Sequence, residues 1–114
     1  MSQKILRFYL SNTDTLNHES LYECIAREAK AFGLHGATVI NGVMGFGETS
    51  QLRSNKFWEL NIKHPMIVEM IDEEATLRAF ITKMQPLLEG TEKGFLITLQ
   101  DIEIVLKKQG HARK

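Results

Sequence analysis

Apolar and polar residues alternate through Lys4–Leu10 (KILRFYL), with Leu6, Phe8 and Leu10 on one face and Ile5, Arg7 and Tyr9 on the other. A period of two predicts a strand. Ser11–His18 is polar and carries Asn, Thr and Asp, so it reads as a loop. From about Glu19 to Phe32 the spacing becomes helical, with Leu21, Ile25, Ala29 and Phe32 on one stripe. Ser20 and Glu23 stand where a capping box needs them, and Gly33 stands where a C-terminal capping glycine belongs. A β-branched run over about Ala37–Met44 predicts the second strand, which ends in Gly45-Phe46-Gly47. The stretch Gly47–His64 has only weak periodicity, and connections of that length inside a small domain are usually functional or mobile. Within it, Phe57-Trp58 predicts that the second half packs back on the body. Met66–Asp72 (MIVEMID) reads as a near-continuous apolar strand broken by Glu69. Helical spacing returns over Glu73–Leu88 through Leu77, Ile81, Met84 and Leu88, with Asp72 or Glu73 at the cap. Pro86 should end or kink this helix close to where Gly90 stops it. After the glycine-flanked loop Glu89–Gly94, Ile102–Lys107 (IEIVLK) reads as the last strand, and Phe95–Thr98 is compatible with a small strand before it.

The order β-α-β-β-α-β predicts an α+β, ferredoxin-like sandwich: one antiparallel sheet with two helices on one face. Residues 1–114 form one domain in this reading, with a frayed tail from about 108. The uncovered sheet face should carry Ile5, Arg7, Tyr9, Glu69 and Val105, with Glu103 and Lys107 as further candidates. Such a face is too apolar to sit fully in water, so self-association is expected.

Composition adds mostly exclusions. The chain is 43% apolar and 25% charged, with Lys plus Arg and Asp plus Glu balanced at 14 each. No global basic field argues for nucleic acid, and no apolar run predicts membrane insertion or a secretory leader, so the cytoplasm is the expected address. The basic tail Lys107-Lys108-Gln109-Gly110-His111-Ala112-Arg113-Lys114 reads first as a solvated end, and second as a phosphate contact through its first members. The single cysteine, Cys24, lies beside Leu21 and Ile25 in helical spacing and reads as a small buried hydrophobe. His18, His35, His64 and His111 are scattered singly, so no metal site is expected, and no nucleophile motif nominates an enzyme.

Two glycine-bearing turns remain. Each alone is ordinary turn geometry. Together, Gly45-Phe46-Gly47 and Gly90-Thr91-Glu92-Lys93-Gly94 offer backbone donors, the Thr91 hydroxyl and the Lys93 ammonium to a phosphate chain.

AREAKAFGLHGATVINGVMGFG resembles the signature of the PII signal-transduction family, in which a helix, a glycine and a Gly-x-Thr-Val strand lead to Val-x-Gly-Phe-Gly at the root of a long T-loop. PMIVEMIDEE is similar to that family's apolar strand with one glutamate, Gly90–Gly94 to a shortened B-loop, and DIEIVLKK to the final strand with its basic end. More closely, LRFYL…SLYECIAREAKAFGLHGATVINGVMGFG…HPMIVEMIDEE resembles the PII-like proteins of domain-of-unknown-function family 190 over roughly residues 4 to 107. The resemblance implies a homotrimer that binds an adenine nucleotide in clefts between subunits and reports ligand state to a partner, a transporter or enzyme, through a mobile T-loop. It places Thr38 at the adenine end, Gly45, Phe46 and Gly47 at the phosphate turn, Gly90, Thr91 and Lys93 opposite, Lys107 on the last strand and Glu69 on strand three. Glu48-Thr49 stands where PII proteins usually place Arg-Gln, and an acid there weighs against a triphosphate, so AMP, a cyclic nucleotide or a different small ligand stays open beside ATP and ADP.

The sequence therefore reads as a regulatory protein sensing a small ligand, with no required cofactor. The alternatives are a ligand-independent interaction module, in which the long loop is itself the binding surface, and a small ferredoxin-like enzyme such as a monooxygenase.

Overall fold

In the computed structural model, four strands and two helices account for most of the described residues, which are 2–45, 53–54, 63–91 and 94–111. The elements are β1 (Gln3–Ser11), α1 (Leu21–Phe32), β2 (Thr38–Asn41), β3 (Pro65–Glu73), α2 (Glu74–Glu89) and β4 (Leu96–Asp101). The sheet order is β2-β3-β1-β4 and every pairing is antiparallel, the ferredoxin-like arrangement.

The alternation read from Lys4–Leu10 decides which face is covered. Leu6, Phe8 and Leu10 of β1 and Met66, Val68 and Met70 of β3 are buried toward the helices, where Leu21, Ile25 and Ala29 of α1 and Leu77, Phe80, Met84 and Leu88 of α2 meet them. Phe80 lies at the centre, edge-on to Phe8 with ring centroids 6.2 Å apart and tilted against Phe32 at 5.5 Å. Cys24 is buried on the inner side of α1, as a small hydrophobe would be. Gly33 ends α1 at φ 99°, with its N–H donating to the Lys30 carbonyl and the Leu34 N–H to the Ala29 carbonyl. That is the Schellman pattern a glycine permits.

Several expectations are corrected. The Ser20–Glu23 capping box does not form: Ser20 makes no side-chain cap, and the Leu21 N–H donates to the Asp14 carbonyl instead. Ser20 is held by a two-residue ladder, Thr15–Leu16 against Glu19–Ser20, whose first arm lies in the stretch expected to be loop and whose second takes the expected start of the helix. Its turn is Asn17-His18, at φ 52° and 66°, the paired left-handed geometry of a tight hairpin. Pro86 does not end α2, which runs on to Glu89: the proline lies in the last turn, where little helix remains beyond the hydrogen bond it removes.

The last strand is Leu96–Asp101, not Ile102–Lys107. β1 offers Lys4–Tyr9 to a single partner on this side, and Leu96–Asp101 takes all of it in register. This register turns Ile97 and Leu99 toward the helices and leaves Ile102–Leu106 past the end of β1. Val105, Glu103 and Lys107 are therefore not on the sheet face. Ile5, Arg7, Tyr9 and Glu69 are.

Candidate ligand site

The uncovered face of the sheet is ordered in rows. Thr38 of β2, Glu69 of β3, Arg7 of β1 and Thr98 of β4 lie side by side across all four strands. On one side runs Ile40, Ile67, Tyr9 and Leu96, and on the other Ile71, Ile5 and Gln100. Arg7 organises the polar row: its Nε donates to Glu69 Oε2 at 3.1 Å and its Nη1 to Gln100 Oε1 at 2.8 Å. The Arg7 and Glu69 side chains are both largely covered, which strengthens the pair relative to a fully solvated one. Glu69, expected on strand three, is thus beside Thr38, the residue expected at the adenine end, and is already neutralised by Arg7, a partner that no motif announces.

One end of the sheet is where the long segment departs and returns. The Gly42 N–H donates to the Pro65 carbonyl at 2.8 Å, and a Cβ at Gly42 would come within 2.6 Å of Pro65 Cγ, so only glycine fits this approach. Met44 and Gly45 then pair with Ser54 and Arg53. Beside Pro65, His64 is clasped by Asn12: the Asn12 N–H donates to the His64 carbonyl at 3.0 Å, and the His64 N–H to Asn12 Oδ1 at 2.7 Å. His64 Nδ1 is buried and makes no hydrogen bond among the described residues. Asn12 sits in a turn pinned by Asp14, whose buried carboxylate accepts from the Ser11 N–H at 3.0 Å.

The second glycine turn lies at this same end. α2 closes at Gly90, whose N–H donates to the Leu87 carbonyl, and Thr91 follows with its N–H on Leu88. The chain re-enters the sheet at Leu96, opposite Tyr9, while β2 leaves it at Asn41, opposite Met66, which itself faces Leu10. Gly45 and the 90–94 turn therefore leave the same end of the sheet from its two opposite edges, about 14 Å apart at three strand spacings. β4 ends at Asp101, opposite Lys4, at the other end of the sheet, and Lys107 follows beyond it, exposed and outside any strand. Phe46, Gly47 and Lys93 lie outside the described residues, as does Phe57-Trp58. Two shallow cavities, of about 420 Å³ at Ser2, Glu74 and Arg78 and about 250 Å³ between Ile81, Leu88, Phe95 and Ile97, include neither Thr38, Glu69 nor Gly45.

A family model for DUF190, described as "Uncharacterized ACR", matches residues 3–104. The chain belongs to the DUF190 family. A UPF0166 protein of Aquifex aeolicus (strain VF5) is 33% identical over 105 residues, 92% of this chain and 95% of that protein. One from Methanocaldococcus jannaschii is 30% identical over 87 residues, covering 76% and 80% respectively. Among solved structures, CPII of Thiomonas intermedia K12, a nitrogen regulatory PII-like protein bound to ADP, AMP and bicarbonate, superposes with a TM-score of 0.64 at 14% identity, covering 91% of this chain and 96% of that one. The DUF190 chain thus has the fold of PII-like proteins. The resemblance carried by the Gly36–Gly47 run and the PMIVEMIDEE strand is borne out at the level of family and fold.

Asn12, Gly42 and His64 were not singled out by the sequence reading. Gly42 carries a weak signal, a glycine just past a β-branched run, but nothing in the sequence pairs it with Pro65. Asn12 and His64 are isolated polar residues far apart in the chain, and only the fold brings them together.

Proposed function

We propose that this DUF190 protein is a PII-like, cytoplasmic signalling protein that binds an adenine nucleotide between copies of a homotrimer and regulates a protein partner through the segment 47–64. The observation that carries this reading is the departure of both glycine turns from one end of the sheet, at opposite edges. A cleft closed by two edge-to-edge copies then draws the Gly45 turn from one and the Gly90–Gly94 turn from the next. Thr38 and Glu69 would meet the base, and Gly45, Phe46, Gly47, Gly90, Thr91 and Lys93 the phosphates, with Lys107 supplied from beyond the strand end. Backbone N–H groups and a lysine suit phosphate oxygens, and a carboxylate beside a threonine suits the exocyclic amine of adenine. CPII, which shares the fold, is described as bound to ADP, AMP and bicarbonate, so those three ligands head the list of candidates.

Titration calorimetry with ATP, ADP, AMP and a cyclic adenine nucleotide, with and without bicarbonate, tests the proposal. Saturable binding with one site per chain is expected, with weaker binding as the phosphate charge beside Glu48 grows. Failure of every adenine nucleotide to bind would overturn the sensing role and leave the interaction module as the better reading. Replacing Gly47 by a bulky residue separates the two: the sensor loses ligand, whereas the module keeps its partner.

A further inference from the structure

The Arg7–Glu69 pair is a one-point contact. Only Nε of the guanidinium meets the carboxylate, at Oε2 and 3.1 Å, while Nη1 is drawn to Gln100 Oε1 at 2.8 Å on β4. Glu69 Oε1 takes no hydrogen bond among the described residues. It is a bare acceptor on a side chain only 23% exposed, and Thr38 stands beside it in register on β2. The adjoining row, Ile40, Ile67 and Tyr9, offers a flat heterocycle a largely apolar floor. A carboxylate oxygen accepts only, whereas a threonine hydroxyl donates as well. Together they match an edge on which an amine lies next to a ring nitrogen, as in adenine, and they oppose one on which a carbonyl takes the amine's place. That selectivity lasts only while Glu69 is a carboxylate. A covered acid with no cation beside it takes up a proton, and a protonated carboxyl donates to a carbonyl as readily as it accepts from an amine.

We propose that Arg7 is the specificity-determining residue of the ligand site: it holds Glu69 as an acceptor-only carboxylate with Oε1 left for the ligand, so that the site takes a nucleotide whose base carries an exocyclic amine and refuses one whose base carries a carbonyl there. Gln100 is the positioning partner, since its hold on Nη1 keeps the guanidinium from closing on both carboxylate oxygens as a fork. The pair also cancels its own charge, so a neutral amine is preferred at Oε1 over an ammonium group or a metal cation. This rests on the reading that adenine meets Thr38 and Glu69, and it names the residue that enforces the choice of base.

Calorimetry with ADP and with inosine diphosphate, which puts a carbonyl where adenine has its amine, tests the assignment at chain concentrations at which light scattering shows each protein assembled. The wild type should bind ADP about tenfold or more tighter than inosine diphosphate. In Arg7→Met the ratio should fall below about threefold, chiefly because inosine diphosphate binds more tightly, a gain that loss of a merely structural residue would not produce. Arg7→Lys should keep the wild-type ratio, because a one-point contact needs a charge and not a fork. Gln100→Glu, at an exposed position, draws the guanidinium off Glu69 with a second carboxylate and should lower the ratio by about threefold or more. It decides alone if Arg7→Met yields no assembled protein. A wild type that binds both nucleotides equally, or a ratio unchanged in Arg7→Met and Gln100→Glu, overturns the role of Arg7 while the nucleotide site stands. A wild type that binds no adenine nucleotide overturns both.

Discussion

Phe80 touches Phe8 and Phe32, and through them joins β1 to both helices. It is fully buried, so Phe80→Ala removes a ring that no neighbour can replace. The expected loss is about 3–5 kcal/mol. Against a total of roughly 5–15 kcal/mol, that puts the variant near its unfolding threshold, as a urea titration would show. Gly42 tests a different constraint. An alanine there would drive its Cβ into the Pro65 ring and carbonyl, at 2.6 and 3.1 Å, so β2 must shift away from the start of β3. Destabilisation of about 1–3 kcal/mol is expected, with loss of ligand binding if Gly45 moves as well. Gly36→Ala meets nothing within 4 Å and is the natural control. Asn12→Ala deletes the acceptor of the His64 N–H and leaves the Asn12 backbone bond intact. It should cost about 1 kcal/mol and lower Tm by a few degrees.

Elements were legible in the sequence wherever one face was buried. The stripe Leu21, Ile25 and Ala29 located α1, the period of two in Lys4–Leu10 located β1, and Gly33 ended α1 as expected. What periodicity could not show was choice between equivalent partners. Leu96–Asp101 and Ile102–Lys107 are both strand-like, and loop length from α2, not composition, decides which reaches β1. The small hairpin at Asn17-His18 was hidden for a related reason: its two-residue arms are too short to display alternation. Of the site, the glycine turns stand out locally in the sequence, whereas Thr38 beside Glu69 and Arg7 on Glu69 required the registers of β2 and β1 against β3. The inner face of α1 also carries a titration. Burial pushes the Cys24 thiol above its ordinary value of 9.0, with Arg27 partly offsetting the shift. A group raised in the folded state contributes stability that is full below pH 9.0 and is lost as pH rises through the higher folded value. Stability should therefore fall at alkaline pH and fall less in Cys24→Ala, as paired denaturant titrations would show. Thiol reagents at pH 8 should label Cys24 only as fast as the chain opens.

At the scale of the whole molecule the deciding feature is the uncovered sheet face. Ile5 is already buried there, while Tyr9, Ile40, Ile71 and Leu96 remain exposed around a central Arg7–Glu69 pair. If copies associate as proposed, water is displaced from that pair and its two charges must satisfy each other. Removing one partner then leaves the other buried and unmatched, whereas replacing both with apolar residues of similar size removes the desolvation penalty altogether. The order of effects is therefore predictable. Arg7→Met alone should weaken assembly by about thirtyfold or more, Glu69→Leu alone should do likewise, and the double variant should assemble about as well as the wild type or better, at roughly 2–5 kcal/mol for each orphaned charge. Light scattering across a dilution series measures all three. Were the face to stay open to solvent, each single substitution would change association by less than about 1 kcal/mol, the usual range for an exposed pair. The double variant carries one further expectation. Glu69 is also the carboxylate proposed to meet the exocyclic amine of adenine, so its assembled ring should bind nucleotide poorly, separating the pair's role between copies from its role toward ligand.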